Sequence, residues 1–407
     1  MYSETKRRTP TEPPTQLPQP HRARQDEYPI VVHSHLGWDW VWQRPQQFVS
    51  RLSQHHRVLF IEGPIPSSEV RRTEKRLREI PDYPNVIVLQ MKVPAARWHD
   101  GEWVDRERRR IVQEVLAEPL GRDFEAPVQW FYDPMAVTAF AGHLAERAIV
   151  YDCMDELSLF RGAPPELVRR ERELLRVADL VFAGGPKIWE AKRELNPNCF
   201  CFGCGVEFEH FNRAQSDNLP LPQELRDLPR PRFGYIGVVD ERIDYDLLAR
   251  LADSATGSVL VVGPTAKVDP AAFPQRPNLH WLGGREYSQL PACAKSFDVC
   301  LMPFALNEAT CFINPTKALE YMATGRPIVS TPITDVVRQF RQIVTIAHHH
   351  EEFIQSCVIA AREPDPEAIS RGIELARANS WESIVRQLER HVADVLASKE
   401  RLNTCAA

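Results

Sequence analysis

The chain has 407 residues, of which 43% are hydrophobic and 26% are charged, and its formal net charge is −5. This composition is typical of a globular protein with two domains, and the small negative charge gives no overall attraction for nucleic acid or an anionic membrane. No apolar run approaches the roughly 18 residues that a bilayer-spanning helix needs, and the start of the chain lacks a secretion signal. We therefore expect a cytoplasmic protein with no nucleic acid partner.

The first 27 residues combine five prolines with polar and basic side chains and show no apolar periodicity, which predicts a disordered tail. From residue 28 onward, short apolar runs alternate with segments of helical spacing. The strands predicted in this first series are 29–33, 57–61, 85–90, 127–132, 147–151 and 180–183. Strands that alternate with helices predict a doubly wound parallel sheet, and we assign residues 28–218 to this domain.

The segment 219–231 contains four prolines and predicts a stiff linker to a second series. The strands predicted there are 232–237, 258–263, 279–282, 299–302, 327–331 and 342–346, and we assign residues 232–380 to a second Rossmann-like domain. Residues 381–398 have the apolar spacing of one helix, which we expect to cross back to the first domain, and residues 399–407 are predicted to form a flexible tail.

Open parallel sheets bind ligands beyond the carboxyl ends of their strands. Two such sheets in tandem therefore predict an α/β fold in which two Rossmann-like, doubly wound domains face each other across a cleft that holds the site.

The segment 313–331, INPTKALEYMATGRPIVST, predicts a helix followed by a strand. Asn314 is a favourable N-cap, Pro315 suits the first helical position, and Gly325 ends the helix. The unpaired amides at the start of this helix, which includes Thr316, favour an anion such as a diphosphate.

Lys317 and Glu320 are three residues apart and lie on one face of this helix. The lysine adds a positive charge for a phosphate, whereas the carboxylate suits the hydroxyl groups of a ribose. The alternative is an ordinary surface ion pair beside a capped helix end. Spacing alone leaves both interpretations open.

Three short groups of residues invite a metal interpretation. Cys199, Cys201 and Cys204 are close together, but no second Cys or His pair follows at zinc-finger spacing, which favours a buried strand. Asp244 and Asp246 lie where a helix begins, which favours capping. The three consecutive histidines at 348–350 favour a surface loop, so we predict no metal site.

Several ordered motifs carry a family resemblance. In the second half they are GYIG at 234–237, VGP at 262–264, HWLG at 280–283, FDV at 297–299 leading into PF at 303–304, and the helix segment 313–331. Together they resemble the carboxy-terminal domain of GT-B fold glycosyltransferases of the large retaining class, the family 4-like group 1 enzymes. The first half adds WQRPQQ at 42–47, VYDCMDE at 150–156 and GCGVEFEHF at 203–211, which resemble the subgroup that makes bacterial surface polysaccharides. The likeness covers nearly all of residues 28–398.

The resemblance implies specific roles in the second domain. It implies that a nucleoside-diphosphate sugar binds there as co-substrate and that no further cofactor is needed. Glu320 then stands at the position that binds the nucleotide ribose, and residues 314–317 face the diphosphate. Gly237 stands where backbone approaches the phosphates closely, although a strand-end turn would also explain a glycine there.

Two positions depart from the family pattern. Many members carry a second glutamate eight positions before the one at Glu320, but this chain has Phe312 there. Glu308 is the candidate for reaching the donor sugar, and an exposed loop residue is the alternative. The Arg and Lys pair that usually follows the first glycine strand is also missing, which leaves Arg242 and Arg285 as candidate substitutes.

The acceptor-side candidates lie in the first domain. Asp152 and Asp155 follow a predicted strand and could orient or deprotonate an acceptor hydroxyl, so we name both as catalytic candidates; helix capping is the alternative for Asp155. His35, Asp39 and Arg44 lie in the loop after the first predicted strand, which also borders the cleft.

Two basic clusters, at residues 71–78 and 106–110, are predicted to lie on helices of the first domain. Their charge would favour peripheral contact with the inner face of a membrane, where a lipid-linked acceptor would approach. Acidic residues interleave with them, so a solvated helix face is the alternative.

These observations and the resemblance predict a metal-independent glycosyltransferase that moves a sugar from a nucleoside-diphosphate donor to a glycan or lipid-linked acceptor, in polysaccharide or glycoconjugate synthesis. Retention of configuration is implied by the resemblance alone. The alternatives are a nucleotide-sugar epimerase or hydrolase on the same scaffold, and a non-catalytic nucleotide-sugar-binding protein.

Overall fold

The computed structural model describes residues 28–406 apart from residues 161, 255, 309, 311, 312, 314 and 315. The predicted tail at 1–27 therefore lies outside the described residues, as do three residues singled out in the sequence, Phe312, Asn314 and Pro315. The described residues form two α/β domains, each built on one sheet.

Within the described residues, the amino-terminal sheet has nine strands in the order β3-β5-β2-β1-β6-β7-β8-β9, with β4 on the outside of β5. The strands are β1 (Ile30–His33), β2 (Val58–Ile61), β3 (Ile65–Ser67), β4 (Glu74–Ile80), β5 (Tyr83–Pro94), β6 (Val128–Phe131), β7 (Ala148–Cys153), β8 (Leu180–Ala183) and β9 (Cys199–Cys201). All neighbouring pairs among them are parallel except β4 with β5. Every residue of β1, β2, β6, β7 and β8 is buried, as expected where helices cover both faces of a parallel sheet.

Helices pack on both faces of this sheet. They are α1 (Arg44–Leu52), α2 (Gly101–Ala117), α3 (Val137–Phe140), α4 (Leu167–Val177) and α5 (Pro186–Lys192). The next helix, α6 (Phe208–Asn212), packs instead into the carboxy-terminal core through Phe208 and Phe211, although the sequence assigned it to the first domain. Successive side chains of a strand point to opposite faces, so Leu59 and Ile61 lie in one core layer whereas Val58 and Phe60 lie in the other.

The carboxy-terminal sheet has the order β12-β11-β10-β13-β14-β15, and all its strand pairs are parallel within the described residues. Its strands are β10 (Arg232–Ile236), β11 (Ser258–Val262), β12 (Leu279–Trp281), β13 (Val299–Met302), β14 (Ile328–Ser330) and β15 (Thr345–Ile346). The helices are α7 (Gln223–Arg226), α8 (Tyr245–Ser254), α9 (Leu290–Lys295), α10 (Lys317–Ala323), α11 (Thr334–Phe340), α12 (His350–Arg362), α13 (Pro366–Ala378) and α14 (Trp381–Ala406). This strand order is that of a Rossmann fold, and it reverses direction between β10 and β13.

Short 3-10 helices lie in the connections of both domains, at Ala95–Arg97, Pro119–Phe124, Pro134–Ala136, Leu157–Leu159, Arg213–Gln215, Pro270–Ala272 and Tyr287–Gln289. No described helix combines the length and the apolar content that crossing a bilayer requires.

The basic segment predicted as a helix at 71–78 is instead largely a strand. Residues Glu74–Ile80 form β4, which includes most of this segment. The strand joins β5 through the two residues Pro81 and Asp82 and runs antiparallel to it. Most side chains of β4 are exposed, so the segment lacks the alternation by which a half-buried strand is recognised. Pairing with β5, rather than burial, decides its conformation.

Two further predictions need correction at the ends of the second domain. The linker at 219–231 contains the helical turn α7, whose Leu225 is buried. The predicted tail at 399–407 is helical as far as Ala406, because α14 continues beyond residue 398. Lys399 and Glu400 hold these last turns on the amino-terminal domain, through Asp179 and Arg147, each at 2.6 Å.

The apolar face of α14 packs into the amino-terminal core. Its residues Trp381, Leu388 and Val392 belong to the same buried cluster as β1 and α1. The last helix therefore returns to the first domain, so that the carboxyl ends of the strands in the two sheets border one cleft.

Candidate active site

Three adjoining cavities lie in the cleft between the domains. The amino-side cavity (about 550 Å³) is lined mainly by the first domain, the carboxy-side cavity (about 740 Å³) mainly by the second, and the central cavity (about 150 Å³) by both. Asp155 and Arg242 line both the amino-side and the central cavity, whereas Gly237 and Lys317 line both the central and the carboxy-side cavity. The three spaces therefore form one continuous site.

Helix α10 brings the residues at its amino-terminal end to the central cavity. Thr316 stands at the N-cap position but forms no side-chain capping hydrogen bond, and Thr316, Lys317 and Glu320 all line this cavity. The Nζ atom of Lys317 lies 2.5 Å from Oε2 of Glu320, and the two side chains are 23% and 9% exposed. The ion pair expected from the spacing is thus present, but it faces the cleft between the domains rather than an outer surface.

Burial of its opposite face holds α10 in place. Ala318, Leu319 and Tyr321 are buried in the core of the carboxy-terminal domain. The amide of Ile236, the last residue of β10, donates a hydrogen bond of 2.7 Å to the Tyr321 hydroxyl. Because this bond ties α10 to the end of β10, Gly237 comes to lie beside Lys317 in the cavity wall.

The small size of Gly237 has a packing reason that the sequence did not reveal. A Cβ atom at this position would lie 2.3 Å from the hydroxyl oxygen of Tyr235, which is itself buried. The amide of Gly237 donates to Val262 O at 2.9 Å, so it is already used in the fold. Gly237 still lines the cavity, but its amide does not point to a phosphate.

Arg242, Arg285 and Glu308, the proposed substitutes for missing family residues, are not brought together. Arg242 lines the cleft with its guanidinium bound by Asp240 at 2.7 Å. Arg285 lines the carboxy-side cavity and pairs with Glu224 at 3.0 Å. Glu308 is exposed and is absent from the described residues that line the three cavities, which agrees with the exposed-loop alternative.

Asp155 lies on the opposite wall from Lys317 and Glu320. Burial raises the pKa of Asp155 above its ordinary value. The neighbouring Arg242 and His35 act in the opposite direction but offset only part of this increase. The 3-10 helix that follows has Glu156 at its N-cap and no side-chain cap, so capping does not engage the Asp155 carboxylate. A half-buried carboxylate at a cavity wall can orient a hydroxyl group or accept a proton from it.

Asp152 has a different position from the one predicted. It is fully buried at the end of β7, and its Oδ1 accepts a hydrogen bond of 2.8 Å from Nε of Arg44. Nη1 of Arg44 also donates to the carbonyl oxygens of Phe202 and Gly203, at 2.8 and 3.1 Å. Asp152 lines none of the three cavities, so its carboxylate holds the amino-terminal wall together instead of meeting substrate.

The three acceptor-side candidates lie at three different cavities. Arg44 reaches the central cavity, but Asp152 and two carbonyls already bind its guanidinium. His35 lines the amino-side cavity, and burial lowers its pKa, so the imidazole is neutral near pH 7. Asp39 borders the carboxy-side cavity instead, with its carboxylate 69% exposed and 2.7 Å from Arg78.

The aromatic side chains around the cleft were not predicted from the sequence. Trp40, Trp98 and Phe160 line the amino-side cavity, and Tyr287 lines the carboxy-side cavity. The run GWDWVWQRP after β1 was the available signal, because so many aromatic residues in one loop are unusual unless they pack or bind. The other three aromatic side chains come from segments far apart in the chain.

Asp244 and His350, two of the residues that invited a metal interpretation, contact each other. Oδ1 of Asp244 accepts the amide of Leu247 at 2.9 Å and so caps α8, whereas its Oδ2 lies 2.9 Å from His350. In the part of the chain that the structure describes, no three His, Cys, Asp or Glu side chains are grouped as metal ligands.

Comparison with known sequences agrees with this geometry. Residues 230–374 match the family model described as glycosyl transferases group 1. A curated protein of Bacillus subtilis (strain 168), named provisionally as the teichuronic acid biosynthesis glycosyltransferase TuaH, is 23% identical over 391 residues. The match covers 89% of this chain and 96% of TuaH.

Comparison with solved structures identifies the fold. Sucrose-phosphate synthase from Thermosynechococcus elongatus matches with a TM-score of 0.67 at 15% identity, covering 91% of this chain and 100% of that one. HepE from Anabaena, solved in complex with UDP and glucose, matches with a TM-score of 0.65 at 12% identity, covering 90% and 100%. The predicted pair of Rossmann-like domains is thereby confirmed. The chain has the GT-B fold, and residues 230–374 of its carboxy-terminal domain match the group 1 glycosyl transferases.

Proposed function

We propose that this protein transfers a sugar, with retention of configuration and without a metal ion, from a nucleoside-diphosphate sugar to a hydroxyl group of a glycan or lipid-linked acceptor. The observation that carries the proposal is the central cavity, where the Lys317–Glu320 pair of one domain and Asp155 of the other line the same space. The nucleotide sugar is the co-substrate, and the proposal includes no other cofactor.

The donor would occupy the carboxy-side and central cavities. Three protons of the Lys317 ammonium can donate, so a pair with Glu320 leaves donors for a phosphate oxygen. The second carboxylate oxygen of Glu320 can accept from ribose hydroxyls. Binding both groups at one helical turn would place the diphosphate at the junction of the two cavities.

Transfer would take place where the central and amino-side cavities meet. The bond from the anomeric carbon to the diphosphate oxygen breaks, and its electron pair leaves with the diphosphate. The acceptor oxygen bonds to the anomeric carbon from the same side, which retains the configuration, and the hydroxyl proton passes to the Asp155 carboxylate. The positive charge of Lys317 stabilises the departing diphosphate in a site partly shielded from water, which is the role that a metal ion would otherwise have.

The proposed acceptor class has support from one relative. TuaH, which aligns along nearly its whole length, is named for the synthesis of teichuronic acid. We therefore propose that this protein acts in polysaccharide or glycoconjugate synthesis. The UDP and glucose in the HepE complex make UDP the first nucleotide to test for binding and UDP-glucose the first donor to test for transfer.

We also propose peripheral contact with the inner face of a membrane, but through only one of the two basic clusters. Arg108 is buried against Asp133, and Arg110 pairs with Glu107, so this cluster offers little free charge. Arg71 and Arg72 are exposed and come just before β4. Glu74, the first residue of β4, pairs with Lys92 near the end of β5, so the two arginines lie at the same end of the hairpin as the exposed Trp98, which follows β5. Cosedimentation with vesicles containing anionic lipid tests this contact, and failure to cosediment at low salt would exclude it.

A nucleotide screen followed by a transfer assay tests the function. We expect one nucleoside diphosphate to raise the melting temperature, since a ligand at 100 times its Kd adds about 2.7 kcal/mol to stability. Mass spectrometry with the matching sugar nucleotide should then show glycoside formation only when an acceptor is present. Release of free sugar or of an epimer without acceptor would contradict transfer, as would nucleotide binding without turnover across a broad acceptor panel.

A further inference from the structure

The charged residues that line the amino-side cavity are mostly neutralised by one another. Three arginines of its wall each pair with an aspartate of the same wall: Arg108 with Asp133 at 3.3 Å, Arg170 with Asp105 at 2.8 Å, and Arg242 with Asp240 at 2.7 Å. Both partners of the first two pairs are at least nine-tenths buried. These six charges therefore stabilise the wall and leave little net charge for a ligand.

Two charged side chains in this cavity remain outside such pairs. Asp155 of the amino-terminal domain and Lys267 of the carboxy-terminal domain both line the cavity. Neither forms an ion pair within 4.0 Å in the described part of the chain. Any net electrostatic preference of the cavity for an acceptor must come from these two groups.

Lys267 is held at the cavity wall by an aromatic ring of the other domain. Its Nζ atom lies 4.7 Å from the ring centroid of Phe160, and the Arg242 guanidinium carbon lies 5.5 Å from the same ring. A cation above an aromatic face is attracted by the ring but keeps its donor protons available. The ammonium is therefore positioned without being neutralised.

The backbone at Lys267 supports a role beyond packing. Its φ of 61° lies in the left-handed region, which costs a non-glycine residue about 1–2 kcal/mol. The loop is held there by the bridge between Val239 and Thr265 and by the amide of Ala266, which donates to Val239 O at 3.0 Å. This conformation directs a lysine to the cavity at a position where glycine or asparagine would be more stable.

The rest of the wall is largely apolar. Trp40, Trp98, Met135 and Leu157 line the same cavity, together with Phe160. Lys267 itself is exposed, so its ammonium is open to an entering anion on the side that Phe160 does not cover. A neutral, fully hydrophilic sugar would leave this charge without a partner.

We propose that Lys267 is a specificity residue that binds an anionic group, a carboxylate or a phosphate, carried by the acceptor. This inference rests on the proposed function, since it assumes that the amino-side cavity holds the acceptor. Among the three cavities, Lys267 lines only this one, whereas Lys317 and Glu320 line the spaces assigned to the donor. The anion is accordingly assigned to the acceptor and not to the donor diphosphate.

The two uncompensated charges also orient the acceptor. Asp155 repels an anion but accepts a hydrogen bond from a hydroxyl group, whereas Lys267 attracts the anion. An anionic acceptor would therefore turn its charge toward Lys267 and its nucleophilic hydroxyl toward Asp155. The same lysine would select the acceptor and position its reacting group.

Calorimetric titration of the full-length protein with three matched probes tests the proposal: phenyl β-D-glucuronide, phenyl β-D-glucoside 6-phosphate and phenyl β-D-glucoside. The first two carry a carboxylate and a phosphate, and the third is their neutral counterpart. We expect one of the charged probes to bind at least about tenfold more tightly than the neutral one, as a charge-assisted hydrogen bond allows. Whichever charged probe binds more tightly identifies the anion.

Three variants then assign the preference to this residue. Lys267→Asn removes the charge and accepts the left-handed backbone readily, so folding should be preserved; it should abolish the charge preference while leaving binding of the neutral probe within about twofold. Lys267→Arg should retain the preference. Lys92→Asn, which removes an exposed lysine outside the three cavities, should behave like the wild type.

The outcomes separate this inference from the proposed function. If UDP or another nucleoside diphosphate binds while the three glycosides show no charge preference, the assignment of Lys267 is wrong and the function stands. A preference that survives in Lys267→Asn would also overturn the assignment. If the charged glycoside is preferred but no nucleotide binds, the proposed function is wrong, and with it the description of the ligand as an acceptor.

Discussion

The two walls of the cleft obtain their charged residues in different ways. On the carboxy-terminal wall, Lys317 and Glu320 lie three residues apart on one helical turn, and both face the cavity. On the amino-terminal wall, Arg44 and Asp152 are separated by 108 residues and meet in a buried pair. The first arrangement is local, whereas the second exists only because the fold brings the start of α1 to the end of β7.

The difference shows what happens to charges at the ends of strands. Asp152 and Asp155 are close in sequence and are chemically identical, yet Asp152 is fully buried against Arg44 and Asp155 lines two cavities. Tertiary structure separates such residues into those that hold the wall together and those that face a ligand. Variants of the two walls should therefore affect different measured quantities.

The largest effect is expected for Asp152→Ala, which leaves the Arg44 guanidinium buried without its carboxylate. Removing one partner of a buried ion pair typically costs about 3–5 kcal/mol of unfolding free energy, which urea denaturation would measure. The double variant Arg44→Met/Asp152→Leu should lose less, because no buried charge remains. A loss below about 1 kcal/mol for Asp152→Ala would contradict the structural role of the pair.

Asp155→Asn, on the same wall, should reduce transfer instead of stability. If Asp155 accepts the acceptor proton, kcat should fall about 100-fold while nucleotide affinity is unchanged. Wild-type transfer should increase as pH rises through the pKa of Asp155, which burial raises above its ordinary value, because the ionised carboxylate is the active form. The variant should lose this rise, and an unchanged kcat would remove Asp155 from the mechanism.

Glu320→Ala tests the local arrangement on the carboxy-terminal wall. Loss of the carboxylate that accepts from the ribose should weaken nucleoside-diphosphate binding by about 1–3 kcal/mol in calorimetry. Glu308→Ala is the matched control, since Glu308 is exposed and lies outside the three cavities, and its affinity should equal that of the wild type. Equal affinity for the Glu320 variant would place the ribose elsewhere.

The smallest effect on stability is expected for an ion pair whose partners are distant in sequence but exposed to solvent. Arg338 of α11 and Glu190 of α5 join the two domains at 2.8 Å, but their side chains are 44% and 40% exposed. Arg338→Ala should change the unfolding free energy by less than about 1 kcal/mol, and a double-mutant cycle with Glu190→Ala should give a coupling of similar size. A coupling as large as that of Arg44 with Asp152 would show that burial is not what separates the two cases.

Much of the fold could be predicted because buried parallel strands have a clear signature. The predicted strand 57–61 contains β2, and 180–183 coincides with β8, since continuous runs of branched apolar residues have few other uses. The charged strand β4 was mistaken for a helix because most of its side chains are exposed and it depends on β5 for its conformation. The length of α14 was underestimated because ion pairs with the first domain, not apolar spacing, hold its last turns.

Part of the candidate site could also be predicted from the sequence, and part could not. Lys317 and Glu320 could be placed together because three-residue spacing on a helix brings two side chains to one face. The distinction between Asp152 and Asp155, the exposure of Asp39 toward the carboxy-side cavity, and the uncompensated charge of Lys267 could not be predicted. Each depends on which residue from a remote part of the chain occupies the neighbouring space.

By itself, the sequence determined the two alternating series of strands and helices, the parallel sheets, and the helical turn that presents Lys317 and Glu320, because all of these depend on periodicity and on neighbours within a few residues. Only the tertiary structure decided which acids are neutralised and which face the cleft. The physical reason is that a charge is stabilised by whatever lies within a few ångströms of it, and in this fold such a partner can be remote in the chain, as for Arg44 and Asp152, which are 108 residues apart.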